Sequence, residues 1–391
     1  MKLVVVGCGQ CGGKIADEFA RLGRRARNER KIEIINGAFA VNTDTADLSG
    51  LKHIKADYQH RILIGGRRTG GHGVGKVNEL GAEIAKEDGD KVLDAIRTSP
   101  RFFESDAFLL IASAGGGTGS GSISILSQLI KERYGDKPLY NVLVLPFQHE
   151  EDTEGRTIYN SAVCLKSADS IADAIFLIDN QRYVKKDSPI SNNFAQINSL
   201  IVEPFYNLLC AGEEQKRHRI GSKLLDAGDI LQTLSGWTVI GYGKSPLKLV
   251  RFPFERTRNF RKKSTEIHKG IEAMDEAISQ LSLKCNTTDA GRALYLLSAP
   301  AKEMSMDLIK ELGDYLRDIT SGAIIRNGDY PRDKGMLDVT VILSELKDVA
   351  KIRDYYSKSA EFITEMKRRQ EDTESKLKVI DEAAKDIPSL L

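Results

Sequence analysis

Ala114-Gly115-Gly116-Gly117-Thr118-Gly119-Ser120-Gly121 lies between an apolar run, Phe108-Leu109-Leu110-Ile111-Ala112, and a segment where Ile125, Leu126, Leu129 and Ile130 recur at helical spacing. The order read is strand, glycine loop, helix. Five glycines in the seven residues from Gly115 leave almost no side chains in the way. Backbone N–H groups can then ring a di- or triphosphate, and the helix N-terminus adds its positive end. Thr118 and Ser120 add hydroxyl donors. A plain turn needs only one or two glycines, and each glycine costs conformational entropy. The loop therefore reads as a phosphate cradle.

Outward from this loop, the first half alternates strands and helices. Leu3 to Val6 is a buried strand ended by Gly7. Ile15, Ala16, Phe19 and Leu22 mark a helix that Gly23 can stop. Ile32 to Val41, Val142 to Leu145 and Ile175 to Ile178 are further strands. The repetition predicts an α/β fold, a mostly parallel sheet with helices on both faces. From Ser191 to His218 one stripe of Ile197, Leu200, Ile201, Phe205, Leu208 and Leu209 predicts a single long helix, which Pro204 kinks without ending. A second, α+β unit follows. Its strands are Trp237 to Ile240, Ala293 to Leu297, Ala323 to Arg326 and Val339 to Leu343, and its last 40 residues or so are a charged helix. The expected organisation is a nucleotide domain over 1–190, a central helix and loop over 191–234, and a smaller α+β domain over 235–391.

Composition narrows the function. The 391 residues are 41% hydrophobic and 29% charged, as in ordinary folded proteins. A net charge of +2 gives no global polycation for nucleic acid. The basic, Phe-interleaved stretch from Arg251 to Lys263 reads as a nucleic-acid patch or as a solvated contact loop; no nucleic-acid partner is expected. The five cysteines are scattered, which excludes a disulfide scaffold and fits a reducing cytoplasm. Cys8 and Cys11 form a C-x-x-C with no second pair at zinc spacing, so no protein-ligated metal is expected. They are either a redox pair or small apolar residues in a nucleotide loop. The start, Met1-Lys2-Leu3-Val4-Val5-Val6-Gly7, has no signal-peptide core, and no apolar run approaches the roughly 18 residues of a membrane span. A cytoplasmic protein is expected, with any membrane association left to separate adaptors.

Two more glycine segments compete for the phosphate role. Gly7-Cys8-Gly9-Gln10-Cys11-Gly12 follows the first strand and satisfies G-x-G-x-x-G, the dinucleotide fingerprint. The acidic residue expected about 20 positions on is late, at Asn42-Thr43-Asp44. Gly70-Gly71-His72-Gly73-Val74-Gly75-Lys76 matches G-x-x-x-x-G-K, but Val77 stands where a P-loop needs Ser or Thr. It reads as a glycine loop near a phosphate. An NAD-dependent dehydrogenase built on Gly7, Gly9 and Gly12 remains an alternative that leaves Gly115 to Gly121 unexplained.

Gly-Gly-Gly-Thr-Gly-Ser-Gly resembles the signature loop of the tubulin/FtsZ superfamily of GTPases, and the resemblance runs through most of the chain. Gly9-Gln10-Cys11-Gly12 resembles tubulin's first nucleotide loop, and Ala40-Val41-Asn42-Thr43-Asp44 resembles the second loop of FtsZ. Ile178-Asp179-Asn180 resembles the loop whose asparagine reads guanine, an edge that a side-chain amide can pair. Phe194 and Asn198 resemble the start of the central helix, where an aromatic packs on guanine and a polar group bonds its edge. Glu154-Gly155-Arg156 resembles the ribose- and phosphate-contacting loop; read alone, it is a solvated charged loop. The resemblance implies a tubulin/FtsZ-like fold binding GTP/GDP with Mg2+. The implied nucleotide contacts are Gly9, Gln10, Cys11, Gly12, Asn42, Asp44, Gly73, Gly115, Gly116, Gly117, Thr118, Gly119, Ser120, Glu154, Asn180, Phe194 and Asn198.

Leu224-Leu225-Asp226-Ala227-Gly228-Asp229 follows the long helix. Asp226 and Asp229 could hold magnesium or orient a water for phosphoryl transfer. Alternatively, Asp229 caps a helix beginning at Ile230. A helix over 191–218 would span roughly 40 Å and put Asn198 and the two carboxylates far apart. They could touch the nucleotide of a neighbour stacked head to tail, a heterologous contact that builds an open filament. The superfamily resemblance implies this same arrangement, with Asp226 and Asp229 catalytic. Leu224 stands where the FtsZ motif has Asn, which favours a rival reading as a structural filament with weak GTPase activity. The chain most resembles the archaeal tubulin-like CetZ proteins, which implies cell-shape control; an FtsZ-type division ring is the alternative.

Overall fold

The structure, a computed structural model, describes residues 1–184, 190–247, 259–333 and 335–385. Among the described residues there are ten strands, the nine runs read as strands and a short one, Arg61–Leu63, that the reading lacked. They are β1 (Leu3–Cys8), β2 (Ile35–Asn42), β3 (Arg61–Leu63), β4 (Ala107–Ser113), β5 (Leu139–Leu145), β6 (Ala174–Asp179), β7 (Gly236–Pro246), β8 (Ala290–Ala299), β9 (Ile324–Pro331) and β10 (Met336–Leu346). Among them run helices α1 (Gly9–Arg30), α2 (Thr45–Ser49), α3 (Gly66–Thr69), α4 (Asn78–Arg97), α5 (Thr118–Arg133) and α6 (Gln148–Thr153). These are followed by α7 (Gly155–Asp169), α8 (Ile190–Ala211), α9 (Ala227–Thr233), α10 (Asn259–Ser279), α11 (Met306–Thr320) and α12 (Ala350–Ala384).

All ten strands join one sheet in the order β3-β2-β1-β4-β5-β6-β7-β10-β8-β9. From β3 to β7 every neighbour is parallel, and β10 is antiparallel to both β7 and β8. The two halves of the chain thus share a sheet. β7 satisfies what would otherwise be an open edge at β6, pairing Ala174 with Gly236 and Phe176 with Thr238. Strand alternation sends Val4 and Val6 into a core beneath α4, α5 and α7, and Leu3 and Val5 into a second core beneath α1 and α8.

Two expectations change. α1 does not stop at Gly23 but runs to Arg30, with Lys31 in the left-handed region at φ 65°. Gly23 serves close packing, since a Cβ there would sit 2.9 Å from Ile35 Cβ. α8 ends at Ala211, not near Arg219. Its 22 residues span about 33 Å rather than 40. The chain turns at Gly212, where a Cβ would meet Asp226 Cα at 3.0 Å, and the following Glu213-Glu214-Gln215-Lys216 has no apolar stripe to continue the helix. The basic stretch from Arg251 lies outside the described residues as far as 258. The Met1 ammonium donates to the Leu209 carbonyl at 3.0 Å and pairs with Glu213 at 2.8 Å. Since Met1 precedes β1, α8 ends at the sheet edge opposite the glycine loops.

Candidate functional site

The glycine loops leave the C-terminal ends of β1 and β4 and lead directly into α1 and α5. Both helices aim their N-termini at one cavity. Neither has an acidic residue in its first turn or a side-chain cap, so their N–H groups and positive ends stay free for an anion. The two loops touch backbone to backbone. A Cβ on Gly9, at φ +70°, would lie 2.8 Å from the Gly119 nitrogen, and one on Gly119 would lie 2.7 Å from the Cys8 carbonyl oxygen. Gly116 is different: nothing lies within 4 Å of its missing Cβ.

The cavity holds about 340 Å³, within the size range of small-molecule sites. Of the expected contacts, Gly9, Gln10, Cys11, Asn42, Asp44, Gly73, Gly115, Gly116, Gly117, Thr118, Gly119, Asn180, Phe194 and Asn198 line it. Three are placed elsewhere. Gly12 packs under β4, where a Cβ would sit 2.1 Å from the Ile111 carbonyl oxygen. Ser120 is buried and turns its hydroxyl to the Gly116 carbonyl and, at 3.3 Å, to that of Gly117. Glu154 stands directly before α7, makes no side-chain bond to the helix end, and pairs with Lys76 Nζ at 2.5 Å.

Polar groups are ordered around the cavity. Asp47 accepts from Gln10 Nε2 at 2.6 Å and from Asn42 Nδ2 at 3.0 Å. Asp44 caps α2 through Oδ1. The Thr43 and Thr118 hydroxyls bond at 2.6 Å. Asn160 donates to the Gly116 carbonyl at 2.8 Å and the Lys76 carbonyl at 2.9 Å, tying two glycine loops together. Phe194 meets Phe147 edge to face at 5.8 Å, making an apolar wall at the start of α8. Two cations on the wall, Lys14 and Lys76, escaped the sequence reading; Lys76 closed the third glycine segment and was visible there. Cys8 is fully buried, and that burial outweighs a hydrogen bond to Ser122 and pushes its thiol up to about 12. A buried thiol held so far up is a poor nucleophile at neutral pH, which favours the reading of small apolar residues in a nucleotide loop.

The two carboxylates are not at this cavity. Asp226 lies against Gly212, at the end of α8 and therefore at the opposite sheet edge. The six residues of β1 alone put about 20 Å between the edges. Asp226, not Asp229, is the cap: its Oδ1 accepts the Asp229 N–H at 2.9 Å at the start of α9. Asp229 Oδ1 lies 3.5 Å from Arg326 Nε. The loop before them is tied to β9, where buried Asp329 accepts the N–H groups of Ser222 at 2.9 Å and Lys223 at 2.5 Å.

Among the described residues no helix is long and apolar enough to cross a membrane, and no group of three or more His, Cys, Asp or Glu could hold a metal ion.

Comparison with known proteins identifies the family and the fold. The profile of the Tubulin/FtsZ family GTPase domain matches residues 2–186, and that of the tubulin-like CetZ C-terminal domain matches residues 187–361. The tubulin-like protein CetZ1 of Haloferax volcanii is 33% identical over 374 residues, covering 90% of each chain. CetZ of Pyrococcus abyssi is 29% identical, covering 96% of this chain and 94% of that one. Among solved structures, the GDP-bound monomer of H. volcanii CetZ1 superposes with a TM-score of 0.78 at 31% identity, over 92% of this chain and 99% of that one. The GTPγS-bound protofilament of H. volcanii CetZ2 does so with 0.80 at 26%, over 94% of this chain and all of the other. The chain belongs to the tubulin/FtsZ family, and within it to the tubulin-like CetZ proteins.

Proposed function

We propose that the chain binds GTP in the cavity, stacks head to tail, and hydrolyses the GTP of one copy with Asp226 and Asp229 of the next. The observation that carries this is the position of a glycine-walled cavity beneath two uncapped helix N-termini and a carboxylate pair at opposite ends of the strands of one sheet. The CetZ2 protofilament, solved with GTPγS, supports assembly. Guanine would lie on Phe194, with Asn180 and Asn198 offering amides to its edge, and the phosphates would lie on Gly115 to Gly119 and the ends of α1 and α5. In the neighbour's copy, Asp226 and Asp229 orient a water whose oxygen bonds to the γ-phosphorus as the bond to the β-phosphate oxygen breaks. A carboxylate accepts the water's proton, and GDP and phosphate leave.

Mg2+ held mainly by phosphate oxygens needs only one or two protein carboxylates. Asp44 suits this, because its cap bonds use Oδ1 alone. The ion would neutralise developing phosphate charge. The proposed domain division is 1–190, 191–234 and 235–391, and the proposed cellular role is shape control.

Phosphate release and sedimentation measured against protein concentration test the reading, with GTP, ATP or no nucleotide. A superlinear, GTP-specific rate with GTP-dependent pelleting, lost in Asp229→Ala, is expected. A rate linear in concentration without polymer refutes shared catalysis. Polymer without turnover selects the structural-filament reading that Leu224 favours.

A further inference from the structure

α12 runs past the edge of the body that carries the cavity. β10 ends at Leu346, paired with Trp237 and Ala290, where β7 and β8 begin. From that edge α12, which follows buried Val349, climbs along α7 in the antiparallel sense, burying Ile352 and Tyr355. At Phe362 it reaches the start of α7. A Cβ on Gly155 would lie 2.6 Å from the Phe362 ring, which is 6.1 Å from the ring of Tyr159. Gly155 directly follows Glu154, the partner of the cavity residue Lys76.

Beyond Phe362 the helix continues to Ala384, about 22 residues or roughly 33 Å. None of the described side chains in that stretch is buried. Ile363, Met366, Leu377 and Ile380 are 38%, 47%, 52% and 61% exposed. Their spacing puts them on one face of the helix, with Gln370 and Thr373 between them. A lone helix of this length is marginal in water, and an exposed apolar stripe signals a contact.

The direction of the helix selects the occupant. In a head-to-tail stack the cavity edge of one copy faces the carboxylate edge of the next. A helix leaving the cavity edge along the axis of α7 therefore runs beside the next copy, on the flank made by its α7 and α12. That flank presents two half-exposed apolar side chains, Val163 and Tyr356, each 36% exposed. We propose that residues 363–384 are an arm whose apolar stripe docks on the α7–α12 flank of the next copy, fastening adjacent subunits outside the nucleotide contact. The inference rests on the head-to-tail reading above.

The test uses the full chain with Met366→Glu, Leu377→Glu and Ile380→Glu together, since Glu keeps helix propensity. A control with the same charge change on the opposite face carries Thr364→Glu, Arg368→Gln and Ser375→Glu. The readouts are the critical concentration for GTP-driven pelleting and GDP affinity at concentrations below assembly. The stripe variant should raise the critical concentration at least tenfold, with GDP affinity unchanged and the control close to wild type. An unchanged critical concentration overturns the arm, including the case where only filament bundling is lost, which would make the stripe a lateral contact. An equal rise in the control reduces the effect to charge and overturns it as well. If the wild-type chain binds GTP but never pellets with it, the head-to-tail reading falls and the arm with it.

Discussion

Asp226 has one observed role and one proposed role, and a pair of substitutions separates them. Its Oδ1 caps α9 by accepting the Asp229 N–H at 2.9 Å, with the backbone extended at φ −91° and ψ 178°. Its charge is the one proposed to act on the neighbour's γ-phosphate. Asn caps a helix about as well as Asp, whereas Ala loses about 1 kcal/mol. For a single cooperative transition, about 2.1 cal/mol/K per residue over 391 residues gives an unfolding entropy near 0.8 kcal/mol/K. Asp226→Ala should therefore lower Tm by roughly 1 °C relative to Asp226→Asn. Removing a positioned general base costs about 10²- to 10⁴-fold in rate, and both variants lose it equally. The expected pattern is two chains with wild-type GTP affinity and GTP-driven pelleting, turnover down by at least about 100-fold in each, and longer-lived polymer. Calorimetry, a phosphate-release assay and pelleting read the three quantities. Asp226→Asn with wild-type turnover refutes the catalytic role. An Ala variant as stable as the Asn variant refutes the cap.

The glycine walls make two opposite predictions. Gly9→Ala forces a left-handed residue and a 2.8 Å contact with the Gly119 nitrogen; it should cost about 2–3 kcal/mol and weaken GDP binding at least tenfold, read by thermal shift and nucleotide titration. Gly116→Leu has open space for its Cβ, so Tm should hold while the side chain enters the cavity and abolishes nucleotide binding; retained binding would show that the cavity is not the nucleotide site. The buried thiols of Cys8, Cys164 and Cys210 are each pushed by burial from 9.0 up to about 12. Above about pH 9 the unfolded chain releases protons that the folded chain keeps, so stability is full below pH 9 and falls as pH rises, by up to about 1.4 kcal/mol per unit per thiol. Chemical denaturation from pH 8 to 10 should show the fall, and Cys164→Ala should make its slope shallower.

The parts of the site that the residues show without any family resemblance are those where a side chain is forbidden, whereas Asn180, Phe194 and Asn198, which also line the cavity, follow only from the resemblance. Gly9 and Gly119 must be glycine because two backbones meet there, and such a constraint appears as glycine in any reading of the chain. Parts that depend on pairing were not visible. Nothing local to β6 says that β7 covers its edge, so two domains with separate sheets and one continuous sheet read alike. The Lys76–Glu154 pair and the reach of Asn160 join elements about 80 positions apart. Their residue types promise a charge and an amide but name no partner. Asp226 and Asp229 both stand at positions compatible with a cap, and only the backbone at Asp226 decides between them. The end of α8 was misplaced because its apolar stripe gives no stop signal, and Gly212, which marks the turn, owes its identity to the passing chain at Asp226.

The separation of the cavity from the proposed catalytic carboxylates constrains assembly more tightly than any single contact. The cavity opens at the C-terminal ends of β1 and β4, and Asp226 lies at the other edge, so the two features face opposite ways on one body whose sheet runs unbroken from β3 to β9. A two-fold dimer pairs a surface with itself. It would bring cavity to cavity or carboxylate to carboxylate, and neither arrangement completes a hydrolytic site. Only a heterologous contact sets one edge on the other. Because the cavity and the carboxylates lie at opposite ends of the strands, successive copies in the proposed contact would advance along a line instead of closing into a small ring. On the proposed reading each added copy would supply a carboxylate pair to the nucleotide beneath it, hydrolysis would begin only where a neighbour has arrived, and the terminal cavity would keep its triphosphate. An arm that leaves the cavity edge and fastens the incoming copy would act at that same step, before its carboxylates can reach the phosphate.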